Sequence, residues 1–365
     1  MTPSSPLGLI AELTHRCPLK CLYCSNPVEL TKRTQELETA DWLRVIDEAA
    51  TLGVLQIYLT GGEPCLRADL PQLVRHSADR GLYVNLITSG LGLSEDLCQT
   101  LCRLGVDHIQ LSLQDMESVA AHRICGVDVA ERKVTIAHRI RNSSAAMTIN
   151  MVIHRENIDR LAELIDFAIE LGPEKIEVAH VQFNGWALRN KNVLLPSLSQ
   201  VQNSIQVLRY AQQKYQGRCR IDFVLPDYYA RYPKACMNGW GSQMILVDPR
   251  GQALPCHSAA SLPDFKLPSV KQTPLAEIWA ESELFNAFRG TDWMPEPCRS
   301  CERRELDLGG CRCQALALAG SAYQTDPVCH RSPFRQRVDD AIAAAFDSAL
   351  SDPPPQAAYR GFSQA

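Results

Sequence analysis

The sequence lacks any run of 18 or more apolar residues, the length a membrane-crossing helix needs. It also lacks a basic patch leading into an apolar stretch near its start. Met1 to Gly8 is rich in Pro and Ser instead, so no secretory signal is expected and the cytosol is the expected compartment. Net charge is only -4, which removes any global electrostatic case for a nucleic-acid or membrane-surface partner. Cysteine is too sparse, 15 in 365 residues, for a small disulfide scaffold. A chain this long buries a sizeable core without staples, and an odd cysteine count argues against simple pairing. In a reducing compartment, clustered cysteines are better read as metal or redox ligands.

What is present is an alternation of short apolar runs and longer amphipathic ones. Strands are expected at Leu7–Leu13, Leu55–Thr60, Tyr83–Thr88, His108–Leu113, Met147–Ile153 and Lys175–Val181. Helices are expected between and after them, at Thr39–Leu52, Asp69–Arg80, Ser94–Leu104, Val129–Arg141, Asn157–Leu171 and Ser197–Tyr215. Thr39 and Ser94 read as N-caps, and Gly53 and Gly105 as C-cap glycines. Six strand–helix units imply an α/β fold, a partial (β/α)6 TIM-type barrel, short of the eight units that close one. Such a sheet places its chemistry at the carboxyl ends of the strands.

After Pro226 periodicity fades and Gly, Pro and Cys rise, leaving one clear helix at Leu275–Arg289. The expected organisation is a barrel over 1–225 and a small cysteine-rich domain over 226–335. A C-terminal part, 336–365, follows: a helix from Phe334 to Leu350, then a disordered tail from Ser351 to Ala365.

Three cysteines follow the first strand as Cys17-x3-Cys21-x2-Cys24. Three thiolates on one short loop can converge on a metal centre, and a four-iron cubane held by three leaves one iron free. A three-ligand zinc site, or cysteines acting as small hydrophobes, is the blander alternative. Strand two is followed by Gly61-Gly62-Glu63-Pro64, where glycine permits close backbone approach and Pro64 stiffens the turn. Strand three ends in Thr88-Ser89-Gly90, and strand four in Leu111-Ser112-Leu113-Gln114-Asp115 with Arg123 beyond.

This ordered set, with Tyr23 before the last cysteine, resembles the radical S-adenosylmethionine (AdoMet) enzymes. The resemblance implies a [4Fe-4S] cluster on Cys17, Cys21 and Cys24 whose free iron chelates AdoMet. Reductive cleavage then yields a 5′-deoxyadenosyl radical. It further implies that Gly61, Gly62 and Glu63 hold the methionine amino group. Ser89 and Ser112 would lie on the ribose side, with Ser89 standing where the family has Asn. Arg123 would pair with the carboxylate, or else form a surface salt bridge.

The remaining cysteines include Cys236, Cys256, Cys298, Cys301, Cys311, Cys313 and Cys329. By spacing alone they could fold as a zinc ribbon. They also resemble the SPASM extension, which carries two auxiliary iron–sulfur clusters. That resemblance implies Cys236, Cys256, Cys311 and Cys313 on the first cluster. It implies Cys298, Cys301, Asp307 and Cys329 on the second, with Asp307 where the wider family often has Cys. The first could be [2Fe-2S], with Cys311 and Cys313 sharing an iron, and the second [4Fe-4S]. Cys65, Cys98, Cys102, Cys125 and Cys219 read as core positions, as does His180.

Longer stretches narrow the likeness. Glu12-Leu13-Thr14-His15-Arg16-Cys17-Pro18-Leu19-Lys20-Cys21, Val178-Ala179-His180-Val181-Gln182 and Thr291-Asp292-Trp293-Met294-Pro295 resemble the PqqE family, the PqqA peptide cyclases of pyrroloquinoline quinone biosynthesis. The likeness covers about residues 7 to 333. It implies a PqqA precursor peptide as substrate, a C–C bond from a Glu γ-carbon to the ring of a Tyr four residues on, a PqqD peptide chaperone and a flavodoxin-type electron donor. Gln182, Phe183, Asn184 and Trp186 follow strand six and either line the peptide's path or, for Trp186, pack the domain junction. Another SPASM enzyme, such as a sulfatase maturase or thioether-forming cyclase, is the alternative. A non-catalytic electron-transfer or zinc protein would leave Gly61–Pro64 unexplained.

Overall fold

The computed structural model describes residues 4–183, 185–349 and 355–360. Each of the six expected strands forms: β1 (Gly8–Thr14), β2 (Gln56–Gly61), β3 (Tyr83–Thr88), β4 (His108–Leu113), β5 (Ala146–Ile153) and β6 (Lys175–His180). All pair in parallel, in chain order. Apolar residues fall in register across neighbours, as in Leu9–Ile57–Val84, Leu86–Ile109–Met147 and Ile149–Ile176–Ile221. These rows form one continuous core beneath the helices. Strand alternation turns the intervening residues of β4, Gln110 and Ser112, to the other face.

Those helices are α1 (Thr39–Thr51), α2 (Leu70–Asp79), α3 (Glu95–Leu104), α4 (Ser118–Cys125), α5 (Ala130–Arg141), α6 (Leu161–Glu170), α7 (Gly185–Arg189), α8 (Lys191–Leu194) and α9 (Leu198–Lys214). Ser94 caps α3 as expected, its hydroxyl accepting from Leu97 N at 3.1 Å. The cap of α1 moves one residue to Glu38, whose amide donates to Asp41 at 3.3 Å. Helix α4 lacks a signal strong enough to have been expected, being one short amphipathic segment after Asp115.

The strand count is larger than expected. Strand β7 (Arg220–Val224) extends the sheet in parallel beyond β6, and its charged Arg220 and Asp222 mask it in a hydropathy reading. On the other edge, β8 (Met244–Val247) pairs in parallel with β1, and β9 (Ala253–Leu254) pairs antiparallel with β8. Among the described residues this gives one nine-stranded sheet, so the cysteine-rich segment is joined to the barrel through shared strand pairing. The helix expected at Leu275–Arg289 is broken into α10 (Leu275–Glu281) and α11 (Glu283–Asn286), because Ser282 is extended. Then come α12 (Arg304–Asp307), α13 (Arg312–Ala319) and α14 (Arg335–Ala349).

The expectation of a disordered tail is corrected for residues 355–360. They pack against the barrel mouth, with Arg360 buried. Among the described residues no helix is long and apolar enough to cross a membrane.

Candidate functional site

The loop after β1 carries Cys17, Cys21 and Cys24 and is tied down from two sides, by the end of α4 and by the turn after β2. Lys20 N and Leu22 N donate to the Cys125 and Ile124 carbonyls at the end of α4, at 2.8 and 3.0 Å. Gly62 N and Glu63 N donate to the Thr14 and Arg16 carbonyls at 2.6 and 2.7 Å. A Cβ on Gly61 would stand 2.3 Å from the Thr14 carbonyl oxygen, and one on Gly62 2.2 Å from that of Arg16. The glycine pair is therefore what lets the β2 turn lie directly beneath the cysteine loop.

The three cysteines open onto a cavity of about 260 Å³. Tyr23, Gly61, Gly62, Ser89 and Ser112 also line it, as do Gln110, Gln114 and Asn150, which had not been singled out. Their signal was polar residues at alternate positions of β4 and β5. Burial pushes all three thiols up, Cys17 to about 11; the Arg360 charge partly opposes this at Cys17 and Cys24, while Cys21 is raised further by Cys125, Cys24 and Cys17. Bare thiolates are thus disfavoured here. Three soft sulfur donors in a buried wall fit a cationic iron–sulfur cluster, whose positive charge reverses that penalty.

Two expected ligand residues stand elsewhere. Glu63 is fully buried but does not line the cavity. Its carboxylate accepts from Thr88 Oγ1 at 2.6 Å, Ser89 N at 2.9 Å, Cys65 N at 3.1 Å and the Ser89 hydroxyl, so it clamps the β2 turn to the end of β3. Arg123 lies on α4 with its side chain 65% exposed, paired to Glu156 at 2.6 Å, outside the cavity. Lys133, unnoticed in the sequence, is fully buried. Its ammonium donates to the Ser89 and Ser112 carbonyls, and burial lowers its pKa to about 8.

Among the described residues after β6, Gln182, Phe183 and Trp186 make contacts within the scaffold. The Gln182 amide donates to the His180 and Leu225 carbonyls and accepts from Asp227 N. Phe183 is buried 4.9 Å from the Tyr228 ring. Trp186 is buried, its indole donating to the Pro27 carbonyl at 3.3 Å. Asn184 lies outside the described residues. His180 is a core residue bridging Val224 and Ser204, as expected.

A second cavity of about 450 Å³ shares the Ser25–Asn26 wall with the first and opens toward the β8–β9 hairpin. His15, His257, Asp248 and Arg250 line it. Behind it, Glu12 lies 2.6 Å from His257 Nδ1 and 3.5 Å from His15 Nε2. Burial drives the Glu12 carboxyl up, but the two histidines outweigh it and hold the pKa at about 2. Burial pulls His257 down, and Glu12 more than reverses it. The depressed Glu12 pKa contributes stability above its ordinary value of 4.5 that is lost as pH falls through about 2. The raised His257 pKa contributes below 6.5 and is lost as pH climbs through its folded value. Glu12→Gln is therefore expected to cost on the order of 3 kcal/mol between about pH 5 and 6. Urea unfolding at pH 6 and pH 3 checks it, and the gap should narrow at pH 3.

The C-terminal cysteines fall into two sets. Cys256 and Cys313 stand 3.8 Å apart, sulfur to sulfur, and Cys236 hydrogen-bonds both Cys256 and Cys311. Cys298, Cys301, Asp307 and Cys329 line one small pocket. There burial raises the Asp307 carboxyl, and the Cys301 sulfur accepts from Arg331 at 3.2 Å. Arg312, fully buried between the sets, donates to the Ala322, Gln324 and Gly309 carbonyls and lies 4.5 Å from the Trp293 ring centre. Among the described residues no three or more His, Cys, Asp or Glu side chains stand close enough for a single metal ion. Ligands of a multi-iron cage attach one per iron and stand wider apart.

The sequence profile described as "Radical SAM superfamily" matches residues 11–168, and that described as "Iron-sulfur cluster-binding domain" matches residues 236–302. A PqqA peptide cyclase of Gluconobacter oxydans is 52% identical over 341 residues, 93% of this chain and 95% of that protein. One of Methylobacterium nodulans is 52% identical over 97% of this chain and 94% of that protein. Streptococcus suis SuiB, solved bound to S-adenosylmethionine, superposes with a TM-score of 0.75 at 20% identity, over 90% of this chain and 78% of that one, which shows a shared fold. With half its residues identical over nearly the full length of these relatives, the chain belongs to the PqqA peptide cyclase family of radical AdoMet enzymes.

Proposed function

We propose that this enzyme joins a Glu γ-carbon to the ring of a Tyr four residues later in a PqqA-type precursor peptide. One hydrogen would leave the Glu carbon as an atom, taken by the radical that AdoMet supplies, and the other would leave the Tyr ring as a proton and an electron, with an auxiliary iron–sulfur cluster as the electron acceptor. The observation that carries this reading is the pair of adjoining cavities. One is walled by the three-cysteine loop and the β2 turn, the other opens beside it toward the hairpin, and Ser25 and Asn26 belong to both. A peptide in the larger cavity would present a side chain to the smaller one. When bound, AdoMet and its cluster supply a one-electron reductive cleavage that removes a hydrogen atom from an unactivated carbon.

The protein's part is placement. Cys17, Cys21 and Cys24 would hold the [4Fe-4S] cluster, while Gly61, Gly62, Ser89 and Ser112 shape the space for AdoMet. Glu63 keeps the β2 and β3 ends in fixed register beneath it. Cys236, Cys256, Cys311 and Cys313 would hold a [2Fe-2S] cluster. Two sulfurs on one tetrahedral metal at about 2.3 Å stand about 3.8 Å apart. Cys256 and Cys313, 3.8 Å apart, match that spacing, and Cys311 also hydrogen-bonds Cys313, so either pair suits a shared iron. Cys298, Cys301, Asp307 and Cys329 would hold a second, [4Fe-4S] cluster. PqqD as peptide carrier, a flavodoxin-type donor and a cytosolic setting complete the proposal.

Mass spectrometry of a Glu-x3-Tyr precursor peptide tests it, using anaerobic enzyme with and without AdoMet and reductant. The expected product is lighter by two hydrogens and linked between those residues, only when both are supplied. A thioether, or oxidation of a single residue, would point instead to another kind of SPASM chemistry.

A further inference from the structure

Residues 355–360 bring a buried cation into the AdoMet cavity. The Ala358 amide donates to Asn190 Oδ1 at 2.8 Å, and the Asn190 amide donates back to the Ala358 carbonyl at 3.0 Å. Asn190 also donates to the Leu22 carbonyl at 2.9 Å, so one buried side chain joins this segment to the cysteine loop. The Tyr359 hydroxyl donates to the Arg123 carbonyl at 2.7 Å, and Ala357 packs against the cluster of Leu22, Val181, Ala187 and Leu194. Held this way, Arg360 is only 3% exposed and forms part of the cavity wall.

Its guanidinium donates to the Leu19 carbonyl at 2.9 Å and the Cys24 sulfur at 3.6 Å. With the Asn26 amide turned so that its nitrogen donates to the Gly61 carbonyl at 3.2 Å, its oxygen accepts from Arg360 at 3.1 Å. A guanidinium carries five N–H donors in a planar fork suited to carboxylate. Three acceptors do not exhaust them. Arg123, the arginine expected in this role, is 65% exposed and already paired with Glu156.

We propose that Arg360, delivered by the strap 355–360, is the residue that receives the carboxylate of AdoMet. The inference rests on the AdoMet reading of the cavity. Arg360 is thereby a binding residue supplied from far along the chain, and the strap's docking helps to build the cofactor site. Asn190, which touches the strap but does not line the cavity, is a positioning residue.

The test is equilibrium dialysis of AdoMet and of decarboxylated AdoMet against the full-length, anaerobically reconstituted protein, with iron content measured alongside. R360Q is expected to weaken AdoMet binding about ten- to hundred-fold, the worth of a charge-assisted hydrogen bond or pair. It should leave the affinity for decarboxylated AdoMet as in the wild type. N190A, which loosens the strap without removing the cation, should weaken AdoMet binding less, in the same direction. Should R360Q fail to load iron, R360K carries the comparison. It keeps the charge without the fork and is expected to lose AdoMet affinity selectively over the decarboxylated ligand. Equal AdoMet binding by R360Q and wild type overturns the proposal. So does an equal loss for both ligands, which would make Arg360 a support of the cysteine loop, and so does a loss confined to R123Q. Failure of the wild type to bind AdoMet at all would overturn the cofactor reading itself, and this inference with it.

Discussion

Replacing Cys21 with alanine is expected to abolish 5′-deoxyadenosine formation on reduction with AdoMet. Cys21 lines the cavity, and burial together with the charges of Cys125, Cys24 and Cys17 raises its thiol. A group so disfavoured as a free thiolate gains most from a metal, and its loss leaves a soft-donor site one ligand short. The fall in AdoMet cleavage should exceed about 100-fold, the upper end of what losing a mere outer-shell partner costs a metal site. Iron content should drop by the share of one cluster, since the C-terminal cysteines form their own sets. Cys125→Ala is the control. Cys125 is buried and close enough to raise Cys21, yet its thiol is turned to the Ala121 carbonyl at 3.1 Å. Its removal should leave iron and cleavage near wild type. If Cys125→Ala loses the N-terminal iron and Cys21→Ala keeps it, the ligand assignment is wrong.

Gly62→Ala is expected to be nearly as damaging, although it removes no functional group. The added methyl would meet the Arg16 carbonyl oxygen at 2.2 Å, and the Arg16 and His15 carbonyl carbons at 2.7 Å. All three are backbone atoms, so no side chain can swing aside, and the turn must separate from the loop. The amide bonds from Gly62 to Thr14 and from Glu63 to Arg16 would be strained or lost together. Overpacking of this kind costs about 1–3 kcal/mol or more. The cysteine loop and the cavity share the strained contact, so AdoMet affinity should fall with thermal stability. Gly81→Ala separates the site effect from the generic one. Gly81 has φ +76 and nothing within 4 Å of its added Cβ, so only backbone strain of about 1–2 kcal/mol follows there. Calorimetry and AdoMet dialysis on both variants check this: Gly81→Ala should lower the melting temperature and spare AdoMet binding. A Gly62→Ala protein that binds AdoMet normally would show that the loop is not seated on this turn.

Much of this was legible in the sequence because it is local. Apolar spacing marks β1 to β6, each on a strand buried on at least one face. The three cysteines and the two glycines lie on short loops at strand ends, where spacing and geometry nearly coincide. The seventh strand escaped notice because Arg220 and Asp222 alternate along it, as an edge strand tolerates. The hairpin that extends the sheet past β1 is only four and two residues long, too short for a periodic signal.

By itself, then, the sequence determined the parallel architecture, the three-cysteine loop after β1, and the C-terminal cysteines with Asp307 from which the two sets are drawn. Only the tertiary structure decided which charged groups meet them. Glu12 and His257 are 245 positions apart and Arg360 and Cys24 are 336 apart, separations across which no periodicity carries information. The packing turned Glu63 inward to clamp two strand ends and sent Arg123 out to solvent. It also drew Arg360 into the cavity in its place, because a buried guanidinium requires acceptors that only the folded loop provides.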